Sequence, residues 1–393
     1  MKEKIPGHVL PVIVLAQFAG TSLWFAGNAV INDLILELSL PEIFLGYITT
    51  SVQAGFICGT LLFAILNVAD RFSPVRVFLL CAVAGSAANL TVMMAGSGQT
   101  LILARFITGF FLAGIYPVGM KIASDWHKEG LGRALGYLVG ALVVGTAFPH
   151  LLKFAGGDLP WKMVIIGTSI LSTAGGLLLY LTVPNGPHRA PTAGFRFDVK
   201  AILRLFKNRN FRSAAFGYFG HMWELYTFWA FVPVLITAHL TIQAGSDLAV
   251  SLWSFFIIGI GGLSCIAGGY LSLSKGSKWV AVRSLIGSGI CCLLIPLVFN
   301  LPTPIFLIWL LLWGVFVIPD SPQFSALVAR SSDSSLVATG LTIVNSIGFA
   351  LTIVSIQLVS YLWLSTGSVY IFMIILAGPL TGLFAIRKYQ SLQ

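Results

Sequence analysis

Charge is what this chain has least of. Asp, Glu, Lys and Arg make up 9% of its 393 residues, against 57% hydrophobic residues and a mean hydropathy of +0.93. A soluble domain carries roughly 25% charged residues, because its water-facing surface needs them. A chain this long and this poor in charge cannot cover an aqueous exterior, so lipid must solvate most of it. Acid is scarcer than base: 13 Asp and Glu stand against 23 Lys and Arg, a net charge of +10. The excess of base does not mark a nucleic-acid binder. It lies in short segments between long apolar runs, not on one patch interleaved with stacking aromatics.

Reactive groups are also sparse. The five cysteines, Cys58, Cys81, Cys265, Cys291 and Cys292, all fall inside apolar stretches. None has metal-site or disulfide spacing, so they read as small packing residues. The six histidines are scattered, and no Gly-rich loop ends in Lys-Ser or Lys-Thr. These absences argue against an enzyme, a resident metal or cofactor, and ATP-driven pumping. The first apolar run is long enough to span a bilayer and no convincing cleavage site follows it, so no cleavable signal peptide is expected.

What the chain does have is long apolar runs. A helix needs about 20 mostly apolar residues to cross the hydrocarbon core. Twelve such runs lie near residues 9–31, 43–67, 75–96, 99–122, 131–154, 161–183, 212–240, 248–272, 278–300, 303–328, 334–360 and 366–386. None shows the short alternation of a membrane β-barrel. Basic residues mark one side: Lys2, Lys4, Arg71, Arg76, Lys121, Lys128, Arg133, Arg189, Arg196 and their second-half counterparts fall together if the N-terminus is cytoplasmic. The opposite side carries Asp33, Glu37, Glu42, Asp158 and Asp247. The positive-inside rule therefore places both termini in the cytoplasm.

The longest polar stretch, residues 184–211, falls near the middle of the chain. Within it Phe197, Ala201, Ile202, Leu205 and Phe206 can face one way and Lys200, Arg204 and Lys207 another, as in a helix lying on a membrane surface. The expected organisation is an N-terminal six-helix bundle (1–183), a cytoplasmic linker with this amphipathic helix (184–211), and a C-terminal six-helix bundle (212–393). Sliding the halves by about 203 residues sets Tyr116-Pro117 opposite Ile318-Pro319 and Ala134-Leu135-Gly136 opposite Ala338-Thr339-Gly340. Internal duplication of this kind is common in transporters.

With those residues in place, the chain resembles the major facilitator superfamily of secondary transporters, in a prokaryote-like form. The loop Ala69-Asp70-Arg71-Phe72-Ser73-Pro74-Val75-Arg76 is similar to that family's loop motif after its second helix. Asp70 and Arg71 match, while Leu66 and Ser73 stand at the two Gly positions; in the second half, Leu273 occupies the Asp position. Arg105, Gly109 and Gly114 resemble the family's fourth-helix pattern, and Asp125-Trp126 with Gly132-Arg133-Ala134-Leu135-Gly136 resembles the loop after it. The fifth span has Gly136, Gly140, Gly145 and Pro149 but not the antiporter Gly-Pro motif. The resemblance implies two pseudo-symmetric six-helix bundles around a central cavity, alternating access, and a cytoplasmic charge clasp or gate at Asp70, Arg71, Arg76 and Arg133. The glycines of the eighth span (Gly259, Gly261, Gly262, Gly268, Gly269) read as helix-packing positions.

Ionisable groups within spans are costly and point to function. His221 and Glu224 lie three apart on one face of the seventh span, near mid-membrane, where they can take up and release a proton. Neutral substitution of Glu224 is expected to flatten the pH dependence of transport. Arg105 can attract an anionic substrate, stabilise a nearby deprotonated acid, or serve a structural role; as a permanent charge it needs a partner that the sequence does not name. Asp320 sits between Pro319 and Pro322, which imply a broken helix, and it reads equally as a second coupling site or as a helix cap. Gln17, Thr21, Trp24 and Asn28 form one helical stripe in the first span, expected to face a cavity, and Gln53, Tyr226, Trp229 and Asn345 can join it. His150 and Lys153 read as interfacial residues near the outer mouth.

The sequence thus predicts a monomeric multi-pass protein of the cytoplasmic (inner) membrane, moving a small organic anion or polar metabolite with protons as the coupling ion. The alternatives are an efflux carrier for amphipathic, drug-like compounds, and a passive channel or receptor.

Overall fold

The computed structural model describes residues 5–127, 131–157, 159–189, 199–243, 248–333 and 336–390. Lys2, Lys4, Lys128, Asp158, Arg196, Phe197, Asp247 and the side chains of Lys200, Ala201 and Ile202 lie outside the described set. Every regular element among the described residues is helical. Two compact units emerge: residues 1–40 with 51–197, and residues 41–50 with 198–393.

The first unit holds α1 (Val9–Thr21), α2 (Ala26–Ala29), α3 (Ile31–Glu37), most of α4 (Phe44–Leu66), α5 (Val68–Arg71), α6 (Pro74–Leu90), α7 (Gly98–Leu112), α8 (Tyr116–Trp126), α9 (Leu131–Ala155) and α10 (Lys162–Thr182). The second holds α11 (Val199–Lys207), α12 (Arg209–Ile242), α13 (Val250–Lys275), α14 (Ser277–Val298), α15 (Thr303–Phe316), α16 (Asp320–Arg330), α17 (Val337–Thr366) and α18 (Ala377–Ile386), the last preceded by a 3₁₀ turn at Val369–Leu376. Among the described residues, eleven helical segments are long and apolar enough to cross a membrane. The first apolar run is different: α1 has 13 residues, and the chain turns at residues 22–25 before α2 and α3. The seventh run is longer than its apolar core, because α12 begins at Arg209, inside the stretch expected to be linker. Asn208 caps it, its side chain accepting from the backbone N–H groups of Asn210 and Phe211.

Two spans are broken at matching places in the two halves. In the first unit, α7 gives way to α8 with Pro117 in the new first turn, where its missing N–H costs nothing. In the second, α15 ends at Phe316 and α16 restarts at Asp320, with Pro319 at the cap and Pro322 in the first turn. The offset seen in the sequence therefore aligns two helix breaks.

Small residues let the backbones approach. A Cβ at Gly55 or Gly59 of α4 would collide with the Phe106 or Phe110 carbonyl of α7, and one at Gly109 with the Val52 carbonyl of α4. In the second unit Gly220 of α12 abuts the Gly378 carbonyl of α18. Such contacts replace the hydrophobic drive that lipid cannot supply between helices. The glycines of α13 divide: a Cβ at Gly268 would lie 3.1 Å from Pro319, whereas one at Gly269 would meet open space.

Candidate functional site

The polar groups of each unit gather at the helix breaks. In the first unit the turn after α1 presents backbone carbonyls to a donor from another helix. Arg105 of α7 is that donor. Its Nη2 donates to the carbonyls of Leu23 at 2.9 Å and Trp24 at 2.6 Å, and its Nη1 donates to Asn89 Oδ1 at 2.8 Å. Asn89 is itself anchored to α10, its Nδ2 donating to the Ile165 carbonyl, Thr168 Oγ1 and Ser169 Oγ at 3.0–3.2 Å. A guanidinium fork can serve several acceptors at once, and at the carbonyl end of a helix it also meets the negative end of the dipole. The partner missing from the sequence reading is thus an amide and two carbonyls.

Beside this knot lies the stripe of α1. Gln17 and Gln53 are both fully buried, and neither the oxygen nor the nitrogen of either amide has a hydrogen-bond partner among the described residues. Gln17 Oε1 lies against Gly119 of α8, where a side chain would displace it. Thr21 spends its hydroxyl on the Gln17 carbonyl at 2.8 Å and packs on Gly145 of α9. The Trp24 ring sits 4.8 Å from that of Phe56, one turn beyond Gln53, and Asn28 is buried in α2. Buried amides are hydrogen-bonded in most proteins, so four unpartnered atoms on two of them are atoms available to a ligand.

The second unit carries the ionisable cluster. Glu224 lies near the middle of α12 and accepts three hydrogen bonds: from Ser288 Oγ at 2.9 Å and Cys292 Sγ at 3.4 Å, both on α14, and from Trp313 Nε1 of α15 at 2.7 Å. His221, one turn earlier, turns instead to the break between α15 and α16, where its Nδ1 is 2.8 Å from Asp320 Oδ1. That approach is within ion-pair range but lacks the alignment of a hydrogen bond; Asp320 Oδ1 and both ring nitrogens have no hydrogen-bond partner among the described residues. All three groups are at most 1% exposed, and Asp320 and Glu224 lie close enough for their charges to interact. Asp320, read from the sequence as either coupling site or cap, is brought directly to His221. Cys292, Ser288 and Trp313 are the residues sequence reasoning missed.

The aromatic candidates on α12 face elsewhere. Tyr226 packs its ring 5.3 Å from Phe349 of α17 and 5.2 Å from Trp229, and Thr227 Oγ1 bonds Ser355 Oγ of α17 at 2.7 Å. Asn345 is half-buried on α17. At the ends of the first unit, Asp70 lies 3.7 Å from Lys121 Nζ, which also pairs with Asp125 at 2.6 Å, and Arg189 donates to the Asp70 and Phe72 carbonyls. Among the described residues these ion pairs run through Lys121, and Arg71, Arg76 and Arg133 are exposed around them. At the other end Lys153 pairs with Asp33 at 2.8 Å, and Glu37 accepts from Trp161 Nε1 at 2.6 Å while facing Lys162 at 3.3 Å. The Trp161 hydrogen bond, seconded by Lys162, holds the Glu37 carboxyl below the usual carboxylate range. His150 is buried within the protein, so its ring does not reach outward as a snorkelling side chain would.

Among the described residues, eleven helical segments long and apolar enough to cross a membrane, paired helix breaks and buried ionisable groups define a multi-pass membrane protein. The Major Facilitator Superfamily profile matches residues 12–356, and the chain belongs to that family. No curated protein matches it by sequence. Among solved structures it is similar to the human organic anion transporter MFSD10 (TETRAN), with a TM-score of 0.72 at 16% identity over 97% of this chain and 100% of that one. A bacterial homolog of the human lysosomal transporter Spinster, inward-facing and occupied, gives 0.69 at 14% identity over 99% and 97%; its unoccupied form gives 0.69 at 15% over 99% and 95%. Identities this low speak for the fold alone.

Proposed function

We propose that this protein is a proton-coupled secondary transporter for a small polar organic solute, working by alternating access as a monomer in the cytoplasmic membrane. In this reading α1, the turn after it and α2 together make the first span, giving twelve with both termini cytoplasmic. The observation that carries the proposal is the contact between His221 and Asp320 at a helix break, with Glu224 beside it. Charge buried in a membrane protein is expensive, and a cluster of two acids and a histidine there is retained for a reason. The division of labour follows from the hydrogen bonds. Three donors fix Glu224, whereas Asp320 and His221 keep atoms free to gain or lose a proton. Asp320 and His221 exchange the proton, and Glu224 sets the local charge.

For the solute, Gln17 and Gln53 each offer one donor nitrogen and one acceptor oxygen, which suits a molecule carrying hydroxyl, amide or carboxylate groups. Thr21, Trp24 and Asn28 border them, and Tyr226, Trp229 and Asn345 are the second unit's candidates. An organic anion is one member of this class, and MFSD10 is an organic anion transporter, but Arg105 is committed to carbonyls and Asn89 and is not its counter-ion. Asp70 and its basic neighbours Arg71, Arg76 and Arg133 form the cytoplasmic gate. A ligand screen by thermal stabilisation identifies the solute, because ligand binding raises stability by mass action. Proteoliposome uptake of that solute is then expected to exceed equilibrium only when a pH gradient is imposed. Uptake that merely equilibrates under both conditions marks an uncoupled pathway, a channel or a uniporter, and overturns the proposal.

A further inference from the structure

The basic end of α14 and α18 carries a charge pattern that the transport site does not use. We propose that it is a binding site for an anionic glycerophospholipid. The two helices are tied there by Lys278, whose Nζ donates to the Tyr389 carbonyl at 2.6 Å, and about two turns further on Leu285 packs 3.0 Å from where a Gly382 side chain would begin. Arg283 lies over the Trp279 ring, 5.4 Å from its centroid, and Lys388 lies over Phe384 at 4.7 Å. Lys275 and Arg387 are exposed at the same end. No Asp or Glu occurs from Lys275 to Asn300 or from Ala377 to Gln390, so no ion pair within these segments neutralises the cluster.

Below the charges the surface becomes apolar. Ile286, Ile290, Leu293 and Leu297 continue the exposed side of α14, and Leu380 continues that of α18 beneath Phe384, which is 63% exposed. A basic rim, two rings at the level where Trp is favoured, and an aliphatic wall match the three parts of a phospholipid: phosphate, glycerol ester and acyl chains. The cation–ring contacts hold Arg283 and Lys388 against the wall, so ordering them for a phosphate loses less side-chain freedom. A soluble anion would meet the charges but leave the wall unused, and a zwitterionic lipid would use the wall while bringing its own cation.

The test compares full-length protein reconstituted with phosphatidylglycerol or phosphatidylcholine, reading retained lipid by native mass spectrometry and melting temperature. Wild type is expected to retain phosphatidylglycerol selectively and to melt higher in it. Each basic residue near a membrane surface contributes about fivefold in affinity, equivalent to ~1 kcal/mol, so Arg283→Gln with Lys388→Gln is expected to lower the preference by about 25-fold. Arg283→Lys with Lys388→Arg is expected to keep it, which guards against a folding defect, and Arg204→Gln with Lys207→Gln, also basic but on α11, is expected to keep it as well. Equal retention of both lipids by wild type overturns the proposal. So does a preference that survives the first pair or falls equally with the α11 pair, and so does an equal rise in melting temperature with glycerol 3-phosphate alone.

Discussion

Replacing Arg105 with Ala removes the one charged donor that serves the break after α1. Three buried acceptors lose it: the Leu23 and Trp24 carbonyls and Asn89 Oδ1. A buried polar group left without a partner costs about 1–3 kcal/mol, so three would cost about 3–9 kcal/mol if nothing rearranged. Asn89 Nδ2 keeps its own partners and water can enter the space, which brings the expected loss to the lower half of that range, about 3–5 kcal/mol. For a unit of this size each kcal/mol is worth roughly 2–4 °C, so the melting temperature is expected to fall by about 6–20 °C in the absence of any ligand. Arg105→Lys keeps the charge but not the fork, and one ammonium cannot span both an amide and two carbonyls, so its fall is expected to be intermediate. The assay is thermal unfolding in detergent followed by tryptophan fluorescence. If Arg105→Ala melts with wild type yet loses ligand affinity, the residue is a substrate or proton group and the structural assignment is refuted.

Three further outcomes follow from the same geometry. Gln17→Leu removes two buried amide atoms that lack partners, so the unliganded protein is expected to melt at or slightly above wild type while ligand-induced stabilisation falls; a large loss of stability would show that the amide is satisfied within the fold. Glu37→Gln is expected to lower the melting temperature most at neutral pH. Because the folded carboxyl lies below its unfolded value, its contribution is present above the unfolded value and disappears as pH falls through the folded one, so the gap between variant and wild type should close on acidification below about pH 4. Trp313→Phe keeps the stacking on Phe228 at 4.4 Å but removes one donor to Glu224, and it is expected to shift the pH profile of transport while leaving solute affinity in place.

Much of this was legible in the sequence, and what was not has physical causes. Long apolar runs and Pro319 with Pro322 announced the spans and the break at Asp320, because backbone chemistry is local. The break after α1 was invisible: Ser22-Leu23-Trp24-Phe25 contains neither Gly nor Pro, and the turn is held from outside by Arg105. Asn89 as the partner of Arg105 was equally hidden, since a lone amide in an apolar run gains its meaning only when three helices meet. His221 and Glu224 were placed on one face by their spacing, yet residues three apart differ by about 60° around a helix. That angle suffices to send one to α16 and the other to α14 and α15. Gln17 stood out in the sequence as part of a polar stripe expected to face a cavity, with Gln53 able to join it; the structure adds that neither amide has a hydrogen-bond partner among the described residues.

The central claim is that His221 and Asp320 exchange the coupling proton, and Asp320→Asn tests it most directly. In proteoliposomes with a pH gradient, solute accumulation and the accompanying proton movement are read together, the latter with an entrapped pH dye. Equal-pH counterflow then reports whether the carrier still binds and moves solute. The expected result is that wild type does both, whereas Asp320→Asn keeps counterflow but neither accumulates solute nor moves protons. Accumulation and proton movement at wild-type levels in Asp320→Asn would contradict the account.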